Sequence, residues 1–207
     1  MTRLRIKLCG FTREQDVDAL AHADVDAAGF VLWPGSPRAV TMARAAALAR
    51  RLPADVTPVG VMVRPTVDDA GRAVAVIGLG ELQLHDVDDP APFLALGVPL
   101  VWVAPLVDGV APVAPPGTLL MVDAHDPARH GGTGRTIDWT RAAALARVRR
   151  LLLAGGLTPE NVAAAVAQVR PFGVDVSSGI EDSPGVKSTD RILRFVAAAR
   201  QPLSETA

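Results

Sequence analysis

Several common residue types are scarce or absent in this sequence of 207 residues. Tyrosine is absent, Cys9 is the single cysteine, and lysine occurs only as Lys7 and Lys187. A single cysteine cannot form a disulfide within the chain. We interpret the shortage of lysine and tyrosine, beside abundant alanine and valine, as a genomic composition bias with no bearing on function.

The sequence also lacks an excess of either charge sign. It has 21 Lys and Arg residues against 22 Asp and Glu, a net charge of -1. No broad basic field is therefore available for phosphate-backbone binding, and we expect no nucleic-acid partner.

Long apolar runs are missing as well. Arginines interrupt the longest apolar segments, such as 142–156, well short of a membrane span. The amino-terminal residues MTRLRIKLCG contain no continuous apolar stretch of the kind that a signal peptide needs. We therefore expect a cytoplasmic protein without a membrane partner.

The sequence does contain a regular alternation of short β-branched runs with alanine-rich stretches, which is typical of βα units around a parallel sheet. Eight strand candidates begin near Leu4, Ala27, Pro58, Glu81, Pro99, Leu119, Leu151 and Gly173. Helical segments follow most of them, at 13–23, 42–52, 66–77, 139–149, 159–169 and 189–200. With 49% hydrophobic residues, we expect one domain over 1–207, with a disordered tail from about residue 201.

Two connections have distinct local signals. The fifth, Pro105 to Pro116, holds four prolines, so its helix should be short or missing. In the seventh, Thr158 precedes Pro159 and Glu160, which predicts a capping hydroxyl, a proline at the first helical position and an acidic first turn.

The same alternation could form an open doubly wound sheet or a closed barrel. A barrel predicts that polar and glycine-rich residues gather directly after the strands, at the carboxyl face. Six groups follow different candidate strands: Cys9-Gly10, Ser36-Pro37-Arg38, His85-Asp86, Asp123, Gly155-Gly156 and Ser177-Ser178-Gly179. The sequence therefore favours an α/β fold, an eight-stranded parallel (β/α)8 TIM barrel.

Six segments in order, between residue 3 and about residue 200, resemble the signatures of the N-(5'-phosphoribosyl)anthranilate isomerase family. They are KLCGFT at 7–12, FVLWPGSPRAV at 30–40, LQLH at 82–85, VDAHDPARHGGTGRTIDW at 122–139, LLAGGLTPENV at 152–162 and GVDVSSGIEDSPGVKS at 173–188. The resemblance implies an enzyme of tryptophan biosynthesis that rearranges a small phosphoribosyl substrate, without metal or organic cofactor, as a monomer or homodimer.

The resemblance also assigns the two proton-transfer groups. Cys9 matches the family's general base, and a thiol with a pKa of about 8.5 can serve if positive charge favours the thiolate. Asp123 matches the general acid, which needs a raised pKa. A buried structural thiol is the alternative for Cys9, and a loop-capping role, with Asp126 as competitor, is the alternative for Asp123.

Binding residues follow from the same match. Arg38 resembles the residue that holds the anthranilate carboxylate, a role suited to a planar bidentate donor, although most arginines are surface residues. The substrate phosphate should lie at the loops after strands seven and eight, at Gly155, Gly156, Ser177, Ser178 and Gly179. His85 and Asp175 either face the substrate or are structural. Glycines 131, 132 and 134 suit a lid over the sixth loop and do not form a Walker motif.

Strand geometry gives one further prediction. Side chains alternate along a strand, so Arg5, Lys7 and Cys9 share the face that should line the barrel interior. A buried ammonium needs a partner, and Asp175 lies on the inward face of the neighbouring eighth strand. We predict a Lys7–Asp175 pair, with Lys7 close enough to favour the Cys9 thiolate or with the pair purely structural.

Two rival hypotheses remain at this point. The sugar isomerase of histidine biosynthesis performs the same type of rearrangement, but its family has an aspartate where this sequence has Cys9. A catalytically silent barrel that binds phosphoribosyl ligands is the second rival, and the presence of both Cys9 and Asp123 disfavours it.

Overall fold

The computed structural model describes residues 3–103, 114–122 and 139–201. Eight parallel strands pair in chain order and close into a barrel, with the eighth strand beside the first. The strands are β1 (Arg5–Cys9), β2 (Ala27–Val31), β3 (Thr57–Val63), β4 (Glu81–His85), β5 (Leu100–Val103), β6 (Thr118–Val122), β7 (Leu151–Leu153) and β8 (Gly173–Val176). The predicted TIM barrel is confirmed.

Helices and a hairpin surround this barrel. The α-helices are α1 (Glu14–Asp18), α2 (Met42–Ala49), α3 (Val67–Ile77), α4 (Trp139–Ala146), α5 (Val162–Val169) and α6 (Thr189–Ala199). Short 3-10 helices occupy Ala19–His22, Ala91–Leu96 and Ser178–Ile180, and a two-stranded hairpin, β9 (Glu181–Ser183) with β10 (Val186–Lys187), follows β8. The helix pairs α2 with α3, α4 with α5, and α5 with α6 are in contact around the outside.

Side-chain alternation divides the apolar residues into two layers. Outward residues of the strands, such as Ile6 and Leu8, are fully buried with the helices in one large core. Inward residues form smaller clusters inside the barrel, among them Val101, Met121 and Leu152. Each strand is thus buried on both faces, as is usual for parallel sheets.

Local sequence accounts for several helix ends. The hydroxyls of Thr41 and Thr66 accept hydrogen bonds from the backbone N–H groups of Arg44 and Asp69, which caps the first turns of α2 and α3. Gly78 ends α3 in the left-handed conformation that glycine adopts without a steric penalty.

The predicted start of the seventh helix is wrong. The helix begins at Val162, with Asn161 as its N-cap. Thr158 lies in the preceding turn, where its hydroxyl accepts from the Glu160 N–H and its own N–H donates to the Asn161 side chain. The capping hydroxyl therefore stabilises a turn that leads into the helix.

Some sequence predictions lie outside the described residues. These are most of the proline-rich fifth connection, the residues from Asp123 through the glycines of the sixth loop, and the tail from residue 202. Within the described ranges, no helix combines the length and apolar character that crossing a membrane requires.

Candidate active site

The first strand carries two buried polar side chains into the barrel. Cys9, the last residue of β1, is 6% exposed, and Lys7 is completely buried one layer beneath it. Asp175 lies opposite Lys7 in the β1–β8 register, and the Lys7 Nζ is 2.7 Å from its Oδ1. The predicted Lys7–Asp175 pair is confirmed.

Gly29 on β2 provides the space that these two side chains occupy. It pairs with Cys9 in the β1–β2 register. A Cβ added at Gly29 would lie 2.8 Å from the Cys9 Sγ and 3.2 Å from the Lys7 Nζ. The thiol and the ammonium therefore both lie against the bare backbone of Gly29, a contact that sequence analysis did not predict.

Burial and charge act on the thiol in opposite directions. Burial raises the pKa of Cys9, while the charges of Lys7 and Lys187 and a hydrogen bond from Lys7 lower it, and the net result is a raised pKa. The Asp175 charge adds to the raising effect. In their net effect on the pKa of Cys9, burial thus outweighs the two cations.

Arg38 lies beside this thiol and is held by a carboxylate. Its aliphatic stem covers Gly10, because a Cβ added there would lie 2.6 Å from the Arg38 Cδ. The Nε and Nη2 atoms of Arg38 donate to the two carboxylate oxygens of Glu181, at 2.8 and 2.6 Å. The hydrogen bonds that Arg38 donates to Glu181 raise the pKa of Arg38 against the opposing effect of burial, so the guanidinium remains charged.

The same carboxylate binds the second lysine of the chain. The Lys187 Nζ donates to Glu181 at 2.7 Å and to the Ser177 carbonyl at 3.1 Å, and its side chain is completely buried. Sequence analysis missed both Glu181 and Lys187. The available signal was a Pro-Gly turn, Pro184-Gly185, between two oppositely charged residues, one of them a rare lysine.

The β9–β10 hairpin is fastened to the start of the chain. The Thr12 hydroxyl donates to the Gly185 carbonyl at 2.5 Å, and Arg13 donates to the Lys187 carbonyl at 3.1 Å. The Lys187 N–H in turn donates to Asp16, which also pairs with Arg13. These contacts hold the hairpin, and with it Glu181, against the β1–α1 connection.

The glycine-rich loops after β7 and β8 lie side by side. Gly155 and Gly156 adopt positive φ angles of 90° and 65°. Gly179 approaches the Leu157 carbonyl so closely that no Cβ would fit. The Asn161 side chain donates to the Gly156 carbonyl at 2.9 Å, which orders the first of these loops.

Known proteins match this chain over nearly its whole length. Residues 6–198 match the family model described as N-(5'phosphoribosyl)anthranilate (PRA) isomerase. The isomerase of that name from Chromohalobacter salexigens is 43% identical over 202 residues, which cover 95% of this chain and 94% of the relative. The chain belongs to the N-(5'-phosphoribosyl)anthranilate isomerase family.

Solved structures of the family have the same fold. A phosphoribosylanthranilate isomerase in complex with reduced 1-(o-carboxyphenylamino)-1-deoxyribulose 5-phosphate has a TM-score of 0.78 and 30% identity, covering 95% of this chain and 98% of its own. Monomers of the dimeric isomerase from Thermotoga maritima have a TM-score of 0.80 and 29% identity, with coverage of 95% and 98%.

This member of the isomerase family converts N-(5-phospho-β-D-ribosyl)anthranilate into 1-(2-carboxyphenylamino)-1-deoxyribulose 5-phosphate in tryptophan biosynthesis. The rival assignments to the histidine pathway and to a silent barrel are therefore not supported.

Three further residues of the predicted site are His85, Asp175 and Asp123. His85 ends β4, and its Nε2 lies 2.8 Å from the Gln83 side-chain nitrogen. Asp175 is engaged with Lys7. Asp123 follows the last residue of β6 but lies outside the described residues. In the described part of the chain, no three His, Cys, Asp or Glu residues are grouped as metal ligands.

Proposed function

We propose that Cys9 is the general base and Asp123 the general acid of this rearrangement. The observation that carries the proposal is the position of the thiol, which ends a barrel strand at the carboxyl face, with Lys7 buried beneath it. The lysines favour the thiolate, the form that accepts a proton.

The proposed proton transfers follow the order of bond changes. Asp123 donates a proton to the furanose ring oxygen, and the C1'–O bond breaks as the nitrogen lone pair forms a Schiff base. The Cys9 thiolate then removes the C2' proton, and the electron pair of that C–H bond neutralises the iminium to give the enolamine. Tautomerisation of the enolamine to the ketone completes the reaction. Each positioned acid or base typically contributes on the order of 10²- to 10⁴-fold.

The binding assignments form the second part of the proposal. Arg38 binds the anthranilate carboxylate, and the substrate phosphate lies at Gly155, Gly156, Ser177, Ser178 and Gly179. Support comes from the charged guanidinium beside Gly10 and from the contact between the β7 and β8 loops. In this proposal His85 faces the substrate and Asp175 faces its hydroxyls, with Asp175 also neutralising Lys7.

The test compares Cys9→Ala and Asp123→Asn with Asp126→Asn as the matched control. Substrate made in situ from anthranilate and phosphoribosyl pyrophosphate is followed by its loss of fluorescence. We expect the first two variants to lose turnover while still binding a product analogue, and the control to retain it. Near-normal catalysis by either variant would remove that residue from the mechanism.

We further propose that the reaction takes place in the cytoplasm, on a single-domain protein that is a monomer or a homodimer. The catalytic thiol must stay reduced, which suits a reducing compartment, and a phosphorylated substrate does not cross membranes freely. Among the described residues, the exposed large apolar side chains are Val76, Leu94, Val148 and Leu193, and they do not decide between the two oligomeric states. Light scattering distinguishes the two states, because a monomer has a molar mass of 21.6 kDa and a homodimer twice that value.

A further inference from the structure

The Glu181 carboxylate is the centre of a buried charge network at the mouth of the barrel. Its side chain is 4% exposed, and it accepts hydrogen bonds from Arg38, Lys187 and the Gly185 backbone N–H. Neither composition nor the family signatures assigned it a role. A carboxylate this buried needs partners, and here the two cations provide them.

Glu181 engages only one edge of the Arg38 guanidinium. An arginine has five N–H donors in a planar fork, and Glu181 accepts from Nε and from one N–H of Nη2. The edge formed by Nη1 and the second N–H of Nη2 can still bind another carboxylate in bidentate geometry. Arg38 can therefore hold Glu181 and a ligand at the same time.

The charges of the network leave room for an anion. Arg38 and Lys187 are two cations around the single negative charge of Glu181, so the cluster keeps one positive charge in excess. Lys187, fully buried and bonded also to the Ser177 carbonyl, donates to Oε1 of this carboxylate, the oxygen that also accepts from the Arg38 Nε. The hairpin that carries both residues is itself held by Thr12, Arg13 and Asp16.

We propose that Glu181 is a positioning residue that holds Arg38 with its outer edge presented to the anthranilate carboxylate of the substrate. The proposal rests on the carboxylate-binding role of Arg38 stated above. Without Glu181 the long arginine side chain samples several rotamers, and binding must then order it, which weakens affinity. The chemical step, carried by other residues, is unaffected.

The experiment measures kcat and KM for four single variants and for one double variant, Arg38→Ala combined with Glu181→Gln. Glu181→Gln removes the charge, and Glu181→Asp keeps the charge for Lys187 but shortens the reach to Arg38. Glu81→Gln is the matched control, because Glu81 is an equally buried carboxylate. It pairs with Arg5 at the start of β4, away from the mouth of the barrel. Arg38→Ala tests the underlying role directly. All are assayed below their unfolding temperatures, measured by circular dichroism.

We expect both Glu181 variants to raise KM about threefold to tenfold with little change in kcat, the size expected for one side chain that must be ordered on binding. Glu81→Gln should leave KM unchanged. Arg38→Ala should raise KM roughly tenfold to 100-fold, and adding Glu181→Gln to it should raise KM no further, since the two act through one contact.

The outcomes distinguish failure of the proposed Arg38 role from failure of the proposed Glu181 role. An unchanged KM in Arg38→Ala refutes the proposed role of Arg38. If Arg38→Ala raises KM but both Glu181 variants behave like Glu81→Gln, the positioning role of Glu181 is overturned. A lower KM in Glu181→Gln would overturn it too, since it would mean that the carboxylate competes with the substrate for the guanidinium. If Glu181→Gln fails to fold, Glu181→Asp decides.

Discussion

The two lysines of this chain have a shared environment that their scarcity did not reveal. Both side chains are completely buried, and both lower the pKa of the Cys9 thiol. All other side-chain cations except histidine are arginines. A lysine ammonium is a compact, strongly hydrated point charge, so its burial is costly unless acceptors and opposite charge surround it.

At Lys7, removal of the charge should be visible in the reactivity of the thiol. Because the Lys7 ammonium lowers the pKa of Cys9, Lys7→Met should raise that pKa and move the pH midpoint of iodoacetamide alkylation upward. Asp175 acts in the opposite direction on Cys9, so Asp175→Asn should move the midpoint downward. Superimposable midpoints for wild type and Lys7→Met would mean that the pair is purely structural.

Gly29 gives a steric prediction at the same site. Its φ angle is negative, so alanine is acceptable to the backbone, but the new Cβ would lie 2.8 Å from the Cys9 Sγ. The sulfur has to move, and a displacement of about 1 Å can cost on the order of 100-fold in rate. We expect Gly29→Ala to lower kcat by roughly tenfold or more.

The control for this substitution is Gly60→Ala on the next strand. A Cβ at Gly60 would collide with the side chain of Leu79, outside the barrel lumen and away from the thiol. Both variants should lose stability in thermal unfolding, and only Gly29→Ala should lose its turnover. Equal losses of kcat would show that strand distortion, and not displacement of the thiol, is responsible.

At the scale of elements, the loops after β7 and β8 depend on each other. Gly179 packs on the Leu157 carbonyl with no space for a side chain, so Gly179→Ala must separate the two loops. Because the proposed phosphate site uses backbone groups from both, we expect inhibition by inorganic phosphate to weaken about tenfold. Gly71→Ala in α3 is the control, since its Cβ would meet only the end of the Leu96 side chain. Unaltered phosphate inhibition in Gly179→Ala would contradict this arrangement.

At the scale of the whole molecule, ion pairs connect barrel strands that are distant in sequence. Arg5 pairs with Glu81 and Lys7 with Asp175, both at partly or fully buried positions. Buried ion pairs contribute little net stability, because desolvation offsets their attraction, but loss of one partner is costly. They therefore make the folding free energy sensitive to pH.

As pH falls, Glu181 and Glu81 should change the free energy of unfolding in opposite directions. Although burial raises the pKa of Glu181, the hydrogen bonds and charges of Arg38 and Lys187 lower it further than burial raises it. Its contribution to stability is complete above the unfolded pKa of about 4.3 and is lost as pH falls through the lower folded pKa. For Glu81, burial raises the pKa more than the charge and hydrogen bond of Arg5 lower it. The ionised carboxylate of Glu81 therefore disfavours folding at pH values above this raised pKa.

Urea unfolding of wild type, Glu181→Gln and Glu81→Gln across pH tests these signs. The stability difference between wild type and Glu181→Gln should be constant near neutral pH and shrink below about pH 4.3. For the pair of wild type and Glu81→Gln, wild type should instead gain stability as pH falls through the raised folded pKa of Glu81 toward about pH 4.3. A difference that does not change with pH in either pair would refute the corresponding pKa direction.

The sequence alone determined the order and number of the barrel strands, their closure into a barrel and the Lys7–Asp175 pair. These depend on alternation along single strands and on neighbours in chain order, and both can be read from local patterns. The start of α5 was missed because Asn161 and Thr158 compete for the same turn, which propensities do not rank.

Only the tertiary structure decided how the mouth of the barrel is assembled. Glu181 meets Arg38 across 143 residues of chain, and Gly29 leaves space for a thiol on another strand. Such contacts depend on how far the hairpin folds back over β1 and on the direction of long side chains. No periodicity records these quantities, because they are set by packing between elements that are distant in sequence.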